Sequence, residues 1–269
     1  MNGNPATSSR DPAIEDVTNL WLVHPLAHTG LRAAVSRGIS ANMVSVAGLL
    51  MGMAAAAAYL HWRDPLFALA GLALTIGWLV ADGLDGMIAR ATGTSSATGR
   101  VLDGLCDHGV FLCLYLALGW SAGLAENWAP TLAAAFCHAV QSSLYEAERA
   151  RYHRRIRGDG RVPRPAPSSA PVRLYDTFFH ILDRVAEPFD ARLMAATDGP
   201  ALAARYRHAA RKPMKYMALL SANTRVWAIF IACMAGNPAW FWWFEIGPLS
   251  AWALFTIIWH RRVEYRLSD

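Results

Sequence analysis

Charged residues are scarce in this sequence. Asp, Glu, Lys and Arg make up 17% of its 269 residues, whereas hydrophobic residues make up 54% and occur in long blocks. A helix that crosses a hydrocarbon layer of about 30 Å needs about 20 mostly apolar residues. The composition therefore argues against one or two soluble domains and predicts an all-α polytopic membrane protein. Six blocks are long enough to span, namely 43–62, 66–90, 99–124, 129–148, 216–235 and 239–260.

Cysteine is also scarce, and its positions do not indicate a metal site. The four cysteines fall inside predicted spans without the paired spacing of zinc ligands, so we expect them to be packing residues: Cys106, Cys113, Cys137 and Cys233. The first forty residues lack the short apolar core and the cleavage site of a secretory signal peptide. No internal repeat is visible, which argues against the repeat architecture of many transporters.

Basic residues are nearly absent from one side of the predicted membrane domain. The connections around Arg63, 121–127 and 236–238 carry a single Arg between them, and the other side receives the basic stretch 149–215. Because Lys and Arg are retained on the cytoplasmic side, both termini are predicted to be cytoplasmic. We expect an integral protein of a bacterial inner membrane, whose pI near 9.2 suits anionic lipid headgroups. No nucleic-acid partner is expected.

The chain is expected to have two parts. Residues 1–40 combine a tail, disordered over its first thirteen residues, with an amphipathic helix at 14–38 that lies in the membrane interface. Residues 41–269 form the six-helix membrane domain, which carries a basic cytoplasmic insert at about 150–215. Within the insert, a proline-rich stretch precedes apolar residues at helical spacing, which predicts an amphipathic surface helix over 174–193.

Four aspartates stand at the cytoplasmic ends of the second and third predicted spans: Asp82, Asp85, Asp103 and Asp107. Carboxylates within membrane helices cost free energy and normally mark a functional site. Asp82 and Asp85 are three residues apart, and the other two are four apart, so each pair lies on one helix face. The eight-residue connection makes the two helices antiparallel neighbours and brings the pairs together.

Clustered carboxylates repel one another unless protons or cations offset their charge. Two divalent ions supply four positive charges, and oxygen-only ligation favours Mg²⁺ or Mn²⁺ over zinc. Two such ions about 3.5–4 Å apart are a recurring device in phosphoryl transfer. The residues alone are also compatible with two other interpretations, a polar network that joins two helices and a proton or cation pathway.

The spacing of these residues resembles one family. The pattern D-x2-D-G-x2-A-R-x8-G-x3-D-x3-D, at residues 82–107, is that of the CDP-alcohol phosphotransferases, also called CDP-alcohol phosphatidyltransferases. The resemblance implies a homodimer whose catalytic cavity opens to the cytoplasmic leaflet and holds two divalent metal ions. It implies that Asp82, Asp85 and Asp103 bind the metals. Asp107 is implied as a further ligand and as the general base that removes the acceptor hydroxyl proton.

The resemblance also indicates where the nucleotide binds. It places the CDP moiety beside residues that flank the aspartates: Gly86, Ala89, Arg90 and Gly99. Asn42, at the start of the first span, resembles the family's nucleotide-side residue. The family usually has Pro before that Asn, whereas this chain has Ala41.

Polar residues inside the fourth and fifth predicted spans are candidates for acceptor binding. Arg225 lies well inside the fifth span, so it should face a polar cavity or a carboxylate. It either holds a phosphate of a substrate or pairs with a membrane carboxylate such as Glu245. His138 and Gln141 form a polar face in the fourth span that would line an acceptor pocket.

Together these expectations describe an enzyme that joins a phosphoalcohol to an acceptor alcohol and releases CMP in phospholipid biosynthesis. The expected donor is CDP-diacylglycerol, and the acceptor is a small polar alcohol or its phosphate. In the alternative, a CDP-linked headgroup such as ethanolamine or choline is transferred to a lipid alcohol such as diacylglycerol or ceramide. The rivals outside this chemistry are a divalent-cation or proton transporter and a non-catalytic assembly protein.

Overall fold

The computed structural model describes residues 11–123, 128–158, 187–196 and 198–268. Every regular element in these ranges is helical, and no strand occurs among them. The all-α class is therefore confirmed. The helices are α1 (His24–Ser36), α2 (Ala41–Tyr59), α3 (Pro65–Ala91), α4 (Ala97–Ser121), α5 (Ala129–Ile156), α6 (Glu187–Ala195), α7 (Gly199–Met217), α8 (Ala222–Met234), α9 (Ala239–Phe244) and α10 (Ser250–Ser268).

Side-chain caps begin the three helices that carry the motif and its surroundings. Ser40, Asp64 and Ser96 precede α2, α3 and α4, and each side chain accepts a hydrogen bond from a backbone N–H two or three residues later. The three distances are 3.3, 2.9 and 2.9 Å. Each cap satisfies a donor that helix geometry leaves unpaired, so local sequence alone defines where these helices start.

The chain divides into two compact units. The first is built from the described residues between 16 and 139 and between 222 and 248. The second is built from the described residues at 11–15, between 140 and 221, and from 249 to 268. All four aspartates of the motif belong to the first unit, so the candidate site is described within it.

Helix α2 packs against both α3 and α4 in the first unit. Two glycines one turn apart make this possible because they carry no side chain. A Cβ at Gly48 would lie 3.2 Å from the Cβ of Ala81 on α3 and 3.3 Å from Cδ1 of Trp78. Gly52 leaves no room for a side chain beside Val110 on α4. The contacts of α2 with its two neighbours therefore hold both halves of the motif.

Four helices of the described residues are long and apolar enough to cross a membrane: Ala41–Tyr59, Pro65–Ala91, Thr98–Ser121 and Ala239–Ser268. A fifth is added if Gly199–Leu220 and Ala222–Met234 count as one span. The chain thus has the composition of an integral membrane protein. The predicted count of six spans is not confirmed.

The difference in count lies in two predicted spans. The predicted span 216–235 is interrupted at Ser221, whose extended backbone (φ −73°, ψ 164°) ends the helical run. Helix α8 then has 13 residues, about 20 Å at about 1.5 Å per residue, which is short of a hydrocarbon layer. Helix α5 has 28 residues, but the predicted span 129–148 contains the buried polar side chains of His138 and Gln141.

Some predicted features lie wholly or partly outside the described residues. The expected disordered tail, 1–13, is described only from residue 11, and residues 159–186 of the insert are not described. Most of the surface helix predicted over 174–193 falls in that range. Where the insert is described, at α6 and α7, it is helical. Helix α1 occurs within the predicted segment 14–38, and its location in the membrane interface stays a prediction.

Candidate active site

The end of α3 and the beginning of α4 bring three carboxylates together. Asp82 and Asp85 come from α3, and Asp103 comes from the second turn of α4. Each offers one carboxylate oxygen, and these three oxygens lie within 4.8 Å of one another. Asp85 is buried, and the other two are half-buried. The helical spacing of the aspartates thus produces a convergent, oxygen-only set of ligand atoms.

Asp85 is held by a side chain from a third helix. The hydroxyl of Ser45 on α2 donates to Oδ2 of Asp85 at 2.5 Å, and both residues are buried. A hydrogen bond to one oxygen of a ligating carboxylate limits its rotation and directs the other oxygen. Helix α2 therefore contributes to the carboxylate cluster although it holds none of the four aspartates.

Asp107 has a different environment from the other three aspartates. It lies one turn after Asp103 on α4, is half-buried, and is not a member of the three-residue group. The indole Nε1 of Trp78 on α3 donates to its Oδ1 at 3.2 Å. One oxygen of Asp107 is thus engaged by a neutral donor from the neighbouring helix.

The predicted nucleotide-side residues lie in two pairs next to the aspartates. A Cβ at Gly86 would lie 3.2 Å from Nη1 of Arg90, so the guanidinium covers this glycine. A Cβ at Gly99 would lie 3.6 Å from Oδ1 of Asn42, which joins the first turns of α4 and α2. Arg90 and Asn42 are exposed, and Ala89 is half-buried. The exposed polar ends are accessible to a ligand.

The predicted acceptor residues lie in other polar contacts. Arg225 forms a fully buried ion pair with Glu245, with Nη2 2.8 Å and Nε 3.1 Å from Oε1. This is the pairing that the sequence offered as the alternative to substrate binding. Nδ1 of buried His138 lies 3.4 Å from the hydroxyl of Tyr115. In the second unit, Gln141 donates to Oγ of Ser250 at 3.0 Å.

Two groups of the described residues have the donor types of a metal site. The second comprises Glu148, His260 and Glu264, whose ligand atoms also lie within 4.8 Å of one another. Arginine side chains already pair with both glutamates there: Arg151 and Arg261 with Glu148, and Arg155 and Arg261 with Glu264. A divalent cation would be repelled by these arginines, so the aspartate group is the better fit.

The two residues that hold the aspartates were not found by sequence reasoning. Ser45 is separated from Asp85 by 40 positions, and no local pattern connects them. Trp78 stands four positions before Asp82, so a helical projection places it on the face that carries the aspartates. That projection was the available signal for Trp78, and a buried indole in an apolar span usually indicates packing alone.

Comparison with known proteins identifies the part of the chain that holds this site. Residues 38–160 match the family model described as CDP-alcohol phosphatidyltransferase. The chain matches neither a curated protein nor a solved structure. The matched segment contains α2, α3 and α4, with Asn42 and all four aspartates, so the resemblance seen in the motif is confirmed. Over residues 38–160 the chain is therefore similar to the CDP-alcohol phosphatidyltransferase family, whose members are phosphotransferase enzymes.

Proposed function

We propose that this protein transfers a phosphoalcohol from a CDP-alcohol to the hydroxyl of an acceptor alcohol and releases CMP. The family supports this reaction class in lipid synthesis. The observation that carries the proposal is the convergence of Asp82, Asp85 and Asp103 within 4.8 Å at the junction of α3 and α4. The donor that we propose is CDP-diacylglycerol, with a small polar alcohol or its phosphate as acceptor.

The donor set fits divalent metal ions. Asp82, Asp85 and Asp103 present only oxygen atoms, and such sets favour Mg²⁺ or Mn²⁺. In the proposed enzyme these residues and Asp107 hold two ions. When bound, the ions supply positive charge that offsets the carboxylates and the pyrophosphate of the donor.

The proposed reaction is a displacement at the β-phosphorus of the CDP-alcohol. The acceptor's hydroxyl oxygen forms a bond to that phosphorus, and the bond between the phosphorus and the oxygen bridging to CMP breaks. CMP leaves with the bridging oxygen and the electron pair of the broken bond. Asp107 accepts the hydroxyl proton, for which its Oδ2 is suited because Oδ1 is hydrogen-bonded to Trp78.

The remaining site residues are proposed to bind the two substrates. The exposed guanidinium of Arg90 beside Gly86 suits a phosphate of CDP, and the pair formed by Asn42 and Gly99 suits another part of the nucleotide. Ala89, between Gly86 and Arg90, has a small side chain that leaves this surface open.

The candidates for acceptor binding are polar residues of α5 and α8. His138 and Gln141 stay predictions for acceptor binding, and Arg225 does so only if it exchanges Glu245 for a substrate phosphate. The proposal further includes six spans, a homodimer, and cytoplasmic termini in a bacterial inner membrane. The asymmetric distribution of basic residues supports the orientation.

The test is CMP release by the purified, folded protein with CDP-diacylglycerol and Mg²⁺ or Mn²⁺. The acceptor panel is glycerol 3-phosphate, inositol, inositol phosphate, serine and choline. We expect metal-dependent release with one acceptor, reduced at least about 10²-fold in Asp107→Asn because the proton acceptor is lost. Asp64→Asn is the matched control: Asp64 caps the opposite end of α3, and Asn caps equally well.

Each other result has a defined meaning. Activity only with CDP-choline or CDP-ethanolamine and a lipid alcohol would support the alternative donor. No CMP release with any pair, in protein shown to be folded, would contradict the proposed function. Metal-ion flux in proteoliposomes under those conditions would then favour a transporter.

A further inference from the structure

The aspartate predicted to be the base is held by one buried aromatic side chain. We propose that Trp78 is a positioning residue for Asp107: its indole N–H restrains Oδ1 and leaves Oδ2 to take the acceptor proton. This inference rests on the proposed function. It assigns a role to a residue outside the motif.

The contact between the two residues joins two helices. Nε1 of Trp78 on α3 donates to Oδ1 of Asp107 on α4 at 3.2 Å. Trp78 is 2% exposed, so water does not compete freely for its N–H. A hydrogen bond in such surroundings is electrostatically stronger than the same bond in water.

The indole itself has little freedom to move. A Cβ at Gly48 on α2 would lie 3.3 Å from Cδ1 of Trp78, so the backbone of α2 closely approaches the ring. The ring of Phe111 on α4 meets Trp78 edge to face, with centroids 5.3 Å apart and an interplanar angle of 86°. Phe111 is in turn packed against His138 at 4.0 Å. Trp78 is therefore a fixed donor.

The chemistry of the indole explains why it suits this position. Its N–H donates a hydrogen bond and accepts none, so it neither removes the substrate proton nor supplies one. It is neutral, so it does not pair with Asp107 as an arginine would. The three neighbouring carboxylates repel Asp107, and the hydrogen bond opposes a rotation of its side chain away from them. A base that stays oriented avoids the rate loss that misplacement of a catalytic group causes.

The test is Trp78→Phe, which keeps an aromatic ring and removes the N–H. We expect kcat for CMP release to fall about tenfold or more, since a misplaced group costs up to ~10²-fold. The KM values for the CDP donor and the acceptor are expected to change less than about twofold, because Trp78 is not among the residues proposed to bind either substrate. A purely structural role would not separate kcat from KM in this way.

Trp242→Phe is the matched control. Trp242 is 0% exposed and belongs to the same unit, and its Nε1 has no hydrogen-bond partner among the described residues. The substitution therefore changes buried volume without removing such a bond. Both variants are compared by kcat, KM and thermal unfolding midpoint.

A second variant covers the case in which Trp78→Phe does not fold. Gly48→Ala retains the N–H and displaces the indole from the α2 side. Gly30→Ala is its control, because the added Cβ would meet Leu84 at an ordinary 3.4 Å. We expect Gly48→Ala to lower kcat relative to Gly30→Ala.

The outcomes separate the inference from the proposed function. If the wild-type protein releases no CMP with any substrate pair, the proposed function fails. If the wild-type protein releases CMP and Trp78→Phe has the same kcat as Trp242→Phe, the positioning role of Trp78 is contradicted, whereas the proposed function is not. A loss in kcat confined to Trp78→Phe, with KM preserved, supports the positioning role.

Discussion

At the scale of single residues, the hydroxyl of Ser45 affects how Asp85 is presented. The 2.5 Å contact engages Oδ2, and both groups are buried. Removing Ser45 would leave the carboxylate with fewer restraints among two like charges, Asp82 and Asp103. The effect should be seen in metal binding, because partners of ligating groups tune metal affinity.

Ser45→Ala is expected to raise the Mg²⁺ or Mn²⁺ concentration for half-maximal CMP release about tenfold, within the ~10–100-fold range known for such partners. Ser121→Ala is the control, because the Ser121 hydroxyl donates to the Leu118 carbonyl of its own helix, at 3.3 Å, and not to a carboxylate. An unchanged metal dependence in Ser45→Ala would contradict a role for Ser45 in orienting Asp85.

At the scale of elements, the ion pair of Arg225 and Glu245 joins α8 to the π-helical turn Glu245–Leu249. Both side chains are 0% exposed. Burying two charges is costly, and their attraction offsets that cost only while both are present. Arg225, which the sequence indicated as a candidate for acceptor binding, therefore has a structural contact that accounts for its burial.

Glu245→Ala is expected to destabilise the protein by about 3–5 kcal/mol, because it leaves the guanidinium buried without its carboxylate. The double variant Arg225→Met with Glu245→Met is expected to lose much less, since no buried charge remains. Denaturant or thermal unfolding in detergent micelles measures both. Equal losses in the single and double variants would contradict this account.

The same double variant tests the predicted acceptor role. If Arg225 binds a phosphate of the acceptor, the folded double variant shows a raised KM for that acceptor. If Arg225 is structural, the KM values match those of the wild-type protein. The comparison uses the acceptor that gives CMP release in the wild type.

At the scale of the whole molecule, the described residues of each unit hold one group with metal-type donors, and the charges around the two groups differ. In the second unit, Nδ1 of His260 lies 2.9 Å from Glu148, and its Nε2 lies 2.8 Å from the hydroxyl of Tyr206. Glu264 pairs with Arg155 and Arg261. Arginines thus already offset the negative charge there, which indicates a structural network.

Glu264→Gln is expected to lower the unfolding midpoint, because it leaves the buried Arg155 with one carboxylate partner fewer. The metal concentration for half-maximal CMP release should stay at the wild-type value. Asp103→Asn is expected to change the metal dependence of CMP release instead, with a clear loss of metal response. A shift in metal response with Glu264→Gln would indicate that the metal site lies in the second unit.

Local patterns in the sequence sufficed for the helical class and for much of the site. The capping residues Ser40, Asp64 and Ser96 and the apolar blocks after them define the helices that carry the motif. The number of spans was harder to predict from local patterns. The break at Ser221 consists of a single residue with extended backbone inside an apolar run. Hydropathy does not register such a break.

The sequence by itself determined the convergence of Asp82, Asp85 and Asp103 and the similarity of residues 38–160 to the CDP-alcohol phosphatidyltransferase family. Helical periodicity and a short connection are local properties, so spacing along the chain implies proximity in space. Only the tertiary structure decided the partners: Ser45 for Asp85, Trp78 for Asp107 and Glu245 for Arg225. These partners lie between 20 and 40 positions apart. Such contacts depend on how close packing of the helices excludes other arrangements, and no local pattern specifies that packing.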